Sequence, residues 1–185
     1  MAATRVHRIR PAYDSVGRKW IPFQIVAPRN HIEWADLETI LRGARTAADY
    51  QTLTLAPSDP EAWDIHECGP FGMISAAAAN VLASFLKTSF ELLEVTVGTA
   101  PYYFLRGLDF VECLDRKRSV LHFFKSDPTS IKNVEKYVFR KKLIPRDSLF
   151  RIPEAPNEVF ATDAAASAIR RSNLRGFQLT DAERL

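Results

Sequence analysis

The chain has 185 residues, 46% of them apolar, enough for one substantial core. Two cysteines, Cys68 and Cys113, are too few for a disulfide scaffold and fit a reducing cytosol. The longest apolar run, Phe71 to Leu86, is broken by Ser75, Asn80 and Ser84, which argues against a membrane span.

The net charge of +3 conceals a segregation. Residues 1–30 carry six Lys and Arg against one acid, residues 31–115 carry four against thirteen, and residues 116–185 carry fifteen against eight. Such asymmetry bears on partners and steering rather than on fold. The first twenty residues have charge but no apolar stretch, so the expectation is an exposed basic arm without a secretory signal.

Taken in chain order, residues 20–27 read as a strand with Pro22 near its start. Trp34, Leu37, Ile40 and Leu41 recur at helical spacing, and Gly43 would end a short helix over 33–43. Residues 52–56 alternate as a strand until Pro57 and Pro60 break the pattern. A helix over 76–87 follows, with Ser75 as N-cap and Val81, Leu82, Phe85 and Leu86 as its apolar stripe. Strands are expected at 91–97, 101–108, 110–114 and 119–124. Residues 131–140 fit both a helical stripe and a strand; the reading is a short helix or turn leading into a strand near 137–140.

The last quarter reads as a strand at 148–153, a second at 159–163, a helix over 164–172 and a final strand at 174–179. Thr162 or Asp163 would cap the helix, with Ala165, Ala168 and Ile169 facing the core. Asn173 suits a left-handed terminator, and Gly176 lets the backbone re-enter the sheet closely. The whole predicts an α+β chain: a twisted, mainly antiparallel sheet with a few packed helices, in a single compact domain.

Each candidate chemistry has a plainer competitor. His66-Glu67-Cys68 lacks the paired spacing of a zinc site, so a loop histidine and a buried cysteine are expected. Ser75, His66 and Asp64 could be assembled into a triad, but Ser75 lies in a capping context rather than at a nucleophile elbow. Gly69-Pro70-Phe71-Gly72 reads as a tight turn, since Asp64 and Glu67 nearby would repel phosphate. Arg116-Lys117-Arg118, Arg140-Lys141-Lys142 and Arg170-Arg171 could form a phosphate-binding face, but no nucleic-acid motif accompanies them. Asp59, Glu61, Asp64 and Glu67 crowd around Trp63, which suits a steered interface with an aromatic anchor as well as an acidic loop with its Trp in the core. No catalytic set, cofactor or metal is indicated.

Tyr102-Tyr103-Phe104-Leu105-Arg106, Val111 to Asp115, Ser119, Lys136 to Phe139, Leu149 to Ile152, Val159 to Thr162, Ile169, Leu174 and Gly176-Phe177 occur in an order and spacing that resembles the immunity protein eleven family of bacterial polymorphic toxin systems. The likeness spans roughly residues 65–180. It implies an immunity-protein-like α+β domain over 65–185. Residues 1–64, outside the likeness, are read from their own pattern as an N-terminal portion of strand–helix–strand packed on the rest. It also implies a non-enzymatic antitoxin without cofactor, whose partner is a cognate toxin. Phe150, Ile152, Phe160 and Phe177 would be scaffold, Gly176 a close-packing point, Asp115 a turn-former and Arg151 a partner for a carboxylate. The toxin-contacting residues are then sought outside the scaffold. Asp59, Glu61, Trp63, Asp64 and Glu67 come first, and the basic N-terminal arm second. Without a signal peptide the expected location is cytoplasmic and the expected toxin target cytosolic. A nucleic-acid-binding or regulatory module using the basic C-terminal half is the rival.

Overall fold

Alternation in Val6-His7-Arg8-Ile9 sends Val6 and Arg8 to one face of a strand and His7 and Ile9 to the other. That strand, β1 (Val6–Pro11), is an interior strand of a four-stranded antiparallel sheet. The expected exposed arm is therefore corrected. The computed structural model describes residues 5–11, 24–26, 53–56, 64–68, 71–86, 91–97, 100–106 and 110–183. In chain order its further elements are β2 (Gln24–Val26), β3 (Leu53–Ala56), β4 (Ile65–Cys68), β5 (Phe71–Ser75), α1 (Ala76–Leu82), β6 (Glu91–Val97) and β7 (Ala100–Arg106). Then come β8 (Val120–Phe123), β9 (Ile131–Lys136), β10 (Leu149–Ile152), β11 (Ala155–Thr162), α2 (Asp163–Arg171) and β12 (Phe177–Asp181). The helix expected at 33–43 lies outside the described residues.

The strands form sheets ordered β10-β11-β1-β12, β2-β3-β6-β7-β5-β4 and β8-β9. Pairing is antiparallel except between β3 and β6. The chain is thus α+β with mainly antiparallel sheets. β1 lies between β11 and β12, with Arg8 opposite both Phe160 and Thr180.

Two cores flank the four-stranded sheet. One contains Ile9, Leu149 and Ala161 from that sheet, Ile74 and Leu105 from the six-stranded sheet, and Ala78, Ala79, Leu82, Ala165, Ala166 and Ile169 from the two helices. Ala166 is buried where Ala168 was expected, beside Ala165 and Ile169. The other holds Val6, Cys113, Leu114, Val134, Tyr137, Phe139, Phe150, Ile152 and Phe160. Its rings interlock: Phe160 meets Tyr137 edge-on at 5.4 Å, Phe139 at 5.5 Å, and stacks with Phe150 at 5.8 Å.

Charged groups on β1 are answered from distant sequence. Glu158 accepts from Arg8 at 3.2 Å, Arg10 at 2.9 Å and the Tyr137 hydroxyl at 3.1 Å. Burial, then the neighbouring Glu158 carboxylate, raises the Tyr137 pKa. On the opposite face, buried His7 has Nε2 2.8 Å from Asp163 Oδ1 and Nδ1 3.4 Å from Arg170. Because guanidinium only donates, Nδ1 is the acceptor and Nε2–H points to Asp163.

Two local expectations are corrected. Residues 110–114 form isolated bridges, Phe110 with Arg151 and Leu114 with Phe139, rather than a strand. Residues 131–136 form β9, not a helix: cross-strand pairing with β8 and its two register shifts carry Ile131 and Val134 inward. Among the described residues no helix is long and apolar enough to cross a membrane.

Candidate partner-binding surface

An exposed ladder runs from residues 113–115 and 138–140 out through β8 and β9. Its root is closed by backbone bonds from Arg140 N to Cys113 O and from Asp115 N to Val138 O, both 2.7 Å. Asp115 also makes the turn into β8, its Oδ1 accepting from the N–H groups of Lys117 at 3.2 Å and Arg118 at 3.3 Å. Ser119 locks the base by accepting from Val138 N at 3.0 Å.

Along the ladder Leu121, Ile131 and Val134 pack inward on the aromatic core. Val120, Phe123 and Phe124 do not; the two phenylalanines are 46% and 45% exposed. The tip that carries them is held by Asp127. Its carboxylate accepts from Thr129 N at 3.0 Å, Thr129 Oγ1 at 2.6 Å and the Ser130 hydroxyl. The Ser130 and Thr129 bonds hold the Asp127 carboxyl down at about 2, although it is fully exposed.

At the root of the same ladder, Phe110, Val111, Glu112, Arg140 and Leu143 line an open groove of about 560 Å³. Phe110 is 51% and Leu143 49% exposed. Arg151 lies over the Phe110 ring, 4.7 Å from its centre, and donates to the Pro156 carbonyl.

Charge follows the ladder too. Residues 116–146 contain ten Lys and Arg and two carboxylates, Asp127 and Glu135. Nine of the ten cationic residues are exposed, Lys141 being intermediate. Both carboxylates are engaged, Asp127 in its turn and Glu135 with His122. Arg116 pairs with Glu154 at 2.8 Å, Lys141 pairs with Glu183, and Arg140 donates to the Glu112 carbonyl. Sequence reasoning saw two of these basic patches but read Phe123 and Phe124 only as part of a strand over 119–124. The missed signal is their position beside Lys125-Ser126-Asp127-Pro128, a turn sequence that strands them at a tip.

Of the acidic residues singled out, Asp59, Glu61 and Trp63 lie outside the described residues. Glu67 is on β4 opposite Gly72. Asp64 is half-buried and ties elements together. Its carboxylate accepts from the Ser75 hydroxyl and, at 2.7 Å, from Arg175 N, while its own N–H donates to Arg175 O at 3.0 Å. It thus joins the start of α1 to the turn before β12, where Asn173 and Gly176 adopt φ of 54° and 85°. Burial first, then Asp64, raises the Tyr102 pKa.

Ser75 caps α1, accepting from Ala78 N at 3.1 Å. Its hydroxyl hydrogen is directed to Asp64 while its oxygen caps the helix, the capping role expected from the sequence. β4 and β5 pair with Cys68 opposite Phe71, and the residues between them, 69 and 70, lie outside the described residues. Burial pushes the Cys113 thiol up to about 11, which keeps it protonated.

A sequence model of the Immunity protein family (Imm11) matches residues 73–184, which takes in α1, α2 and the whole ladder. No curated protein matches the chain.

Proposed function

The chain belongs to the immunity protein family, and from that premise we propose that it binds a cognate toxin acting in the cytosol and neutralises it by steric occlusion, without catalysis. The family match is the observation that carries the reading. Occlusion needs a rigid body with exposed contact groups, and the twin-core sheet supplies the rigidity. The acidic segment with Asp59, Glu61, Trp63 and Glu67 is the first contact surface proposed, for a basic stretch of the toxin. Asp64 would act there by anchoring the segment, since its carboxylate is engaged with Ser75 and Arg175. The protein would work in the cytoplasm, as a toxin with a cytosolic target requires.

The test is recovery of a tagged copy from its source cells, followed by co-expression. A near-stoichiometric protein with a toxin-like domain is expected. That domain should arrest growth when made in the cytosol, and the chain should restore growth. A domain that kills only when exported would remove the cytosolic claim. Recovery of nucleic acid alone would favour the rival suggested by the ten cations of residues 116–146.

A further inference from the structure

We propose that the β8–β9 ladder is a second docking surface, of opposite sign to the acidic segment, and that it takes an acidic face of the toxin. The inference rests on the antitoxin reading above and adds to it the place and the chemistry of a contact. Three observations on one continuous ladder carry it.

The first is apolar exposure at both ends. Phe123 and Phe124 stand out at the tip, and Phe110 and Leu143 flank the groove at the root. Half-exposed aromatic side chains beside a groove are the usual anchors of a protein interface. The second is fixation. Asp127 spends its carboxylate on three bonds within the tip, so Phe123 and Phe124 are presented in place before any partner arrives. Order already present in the free protein need not be created on binding. The third is charge. Ten cations against two engaged carboxylates over residues 116–146 select an acidic partner and would accelerate its approach. A protein face suits this surface better than nucleic acid. Val120 and Leu143 add aliphatic contact area, and a groove of about 560 Å³ accepts side chains; Phe110, Phe123 and Phe124 also offer stacking planes, so single-stranded nucleic acid is the competing outcome of the test.

The probe is the purified toxin domain recovered with the tagged chain, and the readout is association and dissociation at low and high salt. The double variant Phe123→Ala/Phe124→Ala is expected to bind it at least about tenfold more weakly, mainly through faster dissociation. Lys132→Glu/Lys136→Glu should slow association several-fold at low salt, with the difference shrinking at high salt. Gln178→Ala, at the exposed position of β12, should match the wild type. Circular dichroism and the melting temperature of each variant separate lost contact from lost fold. Unchanged toxin binding by both ladder variants overturns the docking surface and leaves the antitoxin function standing. A 20-nucleotide single strand that binds the wild type and loses binding in the same variants, with toxin binding intact, overturns it in favour of nucleic acid. Recovery of no toxin at all removes both readings together.

Discussion

The two faces of the four-stranded sheet are packed with different materials. The face towards the helices is covered by alanines and aliphatics: Ala78 and Ala79 from α1, Ala165 and Ala166 from α2. The other face is covered by rings, with Phe160 touching three of them. Small residues let two helices and two sheets approach closely, and the space left over is small. Rings bridge longer gaps and bury more area each. The helix face should therefore resist enlargement, and the aromatic face should suffer most from truncation.

Phe160→Ala is the largest expected effect, about 3–5 kcal/mol of unfolding free energy by denaturant titration. Because this ring supports Tyr137 and Phe139 beneath the ladder, hydrogen exchange should show lost protection in β8 and β9. Ala165→Leu comes next, about 1–3 kcal/mol, from overpacking between the helices. Its exchange changes should concentrate in α1 and α2 and spare the ladder. If Ala165→Leu proved the more damaging, or if both variants loosened the same amides, the distinction between the faces would fail.

Local chemistry was legible in the sequence; long-range pairing was not. Ser75 announced its cap and Asn173 its terminator, because both act on backbone within a few residues. Phe150, Ile152 and Phe160, core by what the family resemblance implies, are buried. β1 gave no such sign. Arg8 and Arg10 look solvated until Glu158, about 150 residues away, comes to meet them. The strand also lies outside the family-matched stretch, yet it pairs with β11 and β12 within it. The ladder misled in the opposite sense. Ile131, Val134 and Tyr137 fit a helical spacing, and only the pairing of β9 with β8 decides against it. Exposed phenylalanines look like core phenylalanines in a sequence, because aromatic composition reports propensity and not the side of the chain that water reaches. Arg151 covers the Phe110 ring, a contact that spacing does not reveal.

The smallest effect sharpens the comparison by its pH dependence. The helix face has an ionic tie at its margin, where Asp163 opens α2 and receives His7 Nε2 and, at 3.0 Å, the Arg5 N–H. Burial tends to raise the Asp163 pKa, but the hydrogen bonds from His7 and Arg5 and the charge of Arg5 outweigh it, so the carboxyl lies below its ordinary value. A pKa lower in the folded than in the unfolded chain means that the ionised group stabilises the fold. That contribution is complete above the unfolded carboxylate pKa of about 4 and is lost as pH falls through the lower, folded value. Asp163 is about half exposed, and solvent screening confines the contribution to roughly 0.5 kcal/mol or less. Asp163→Asn should therefore be slightly less stable than the wild type at pH 6, and the gap should narrow as pH falls below 4. Urea titrations of both proteins across that range provide the measurement. Parallel stability curves would show that the tie holds α2 by geometry alone, through hydrogen bonds that asparagine can also accept.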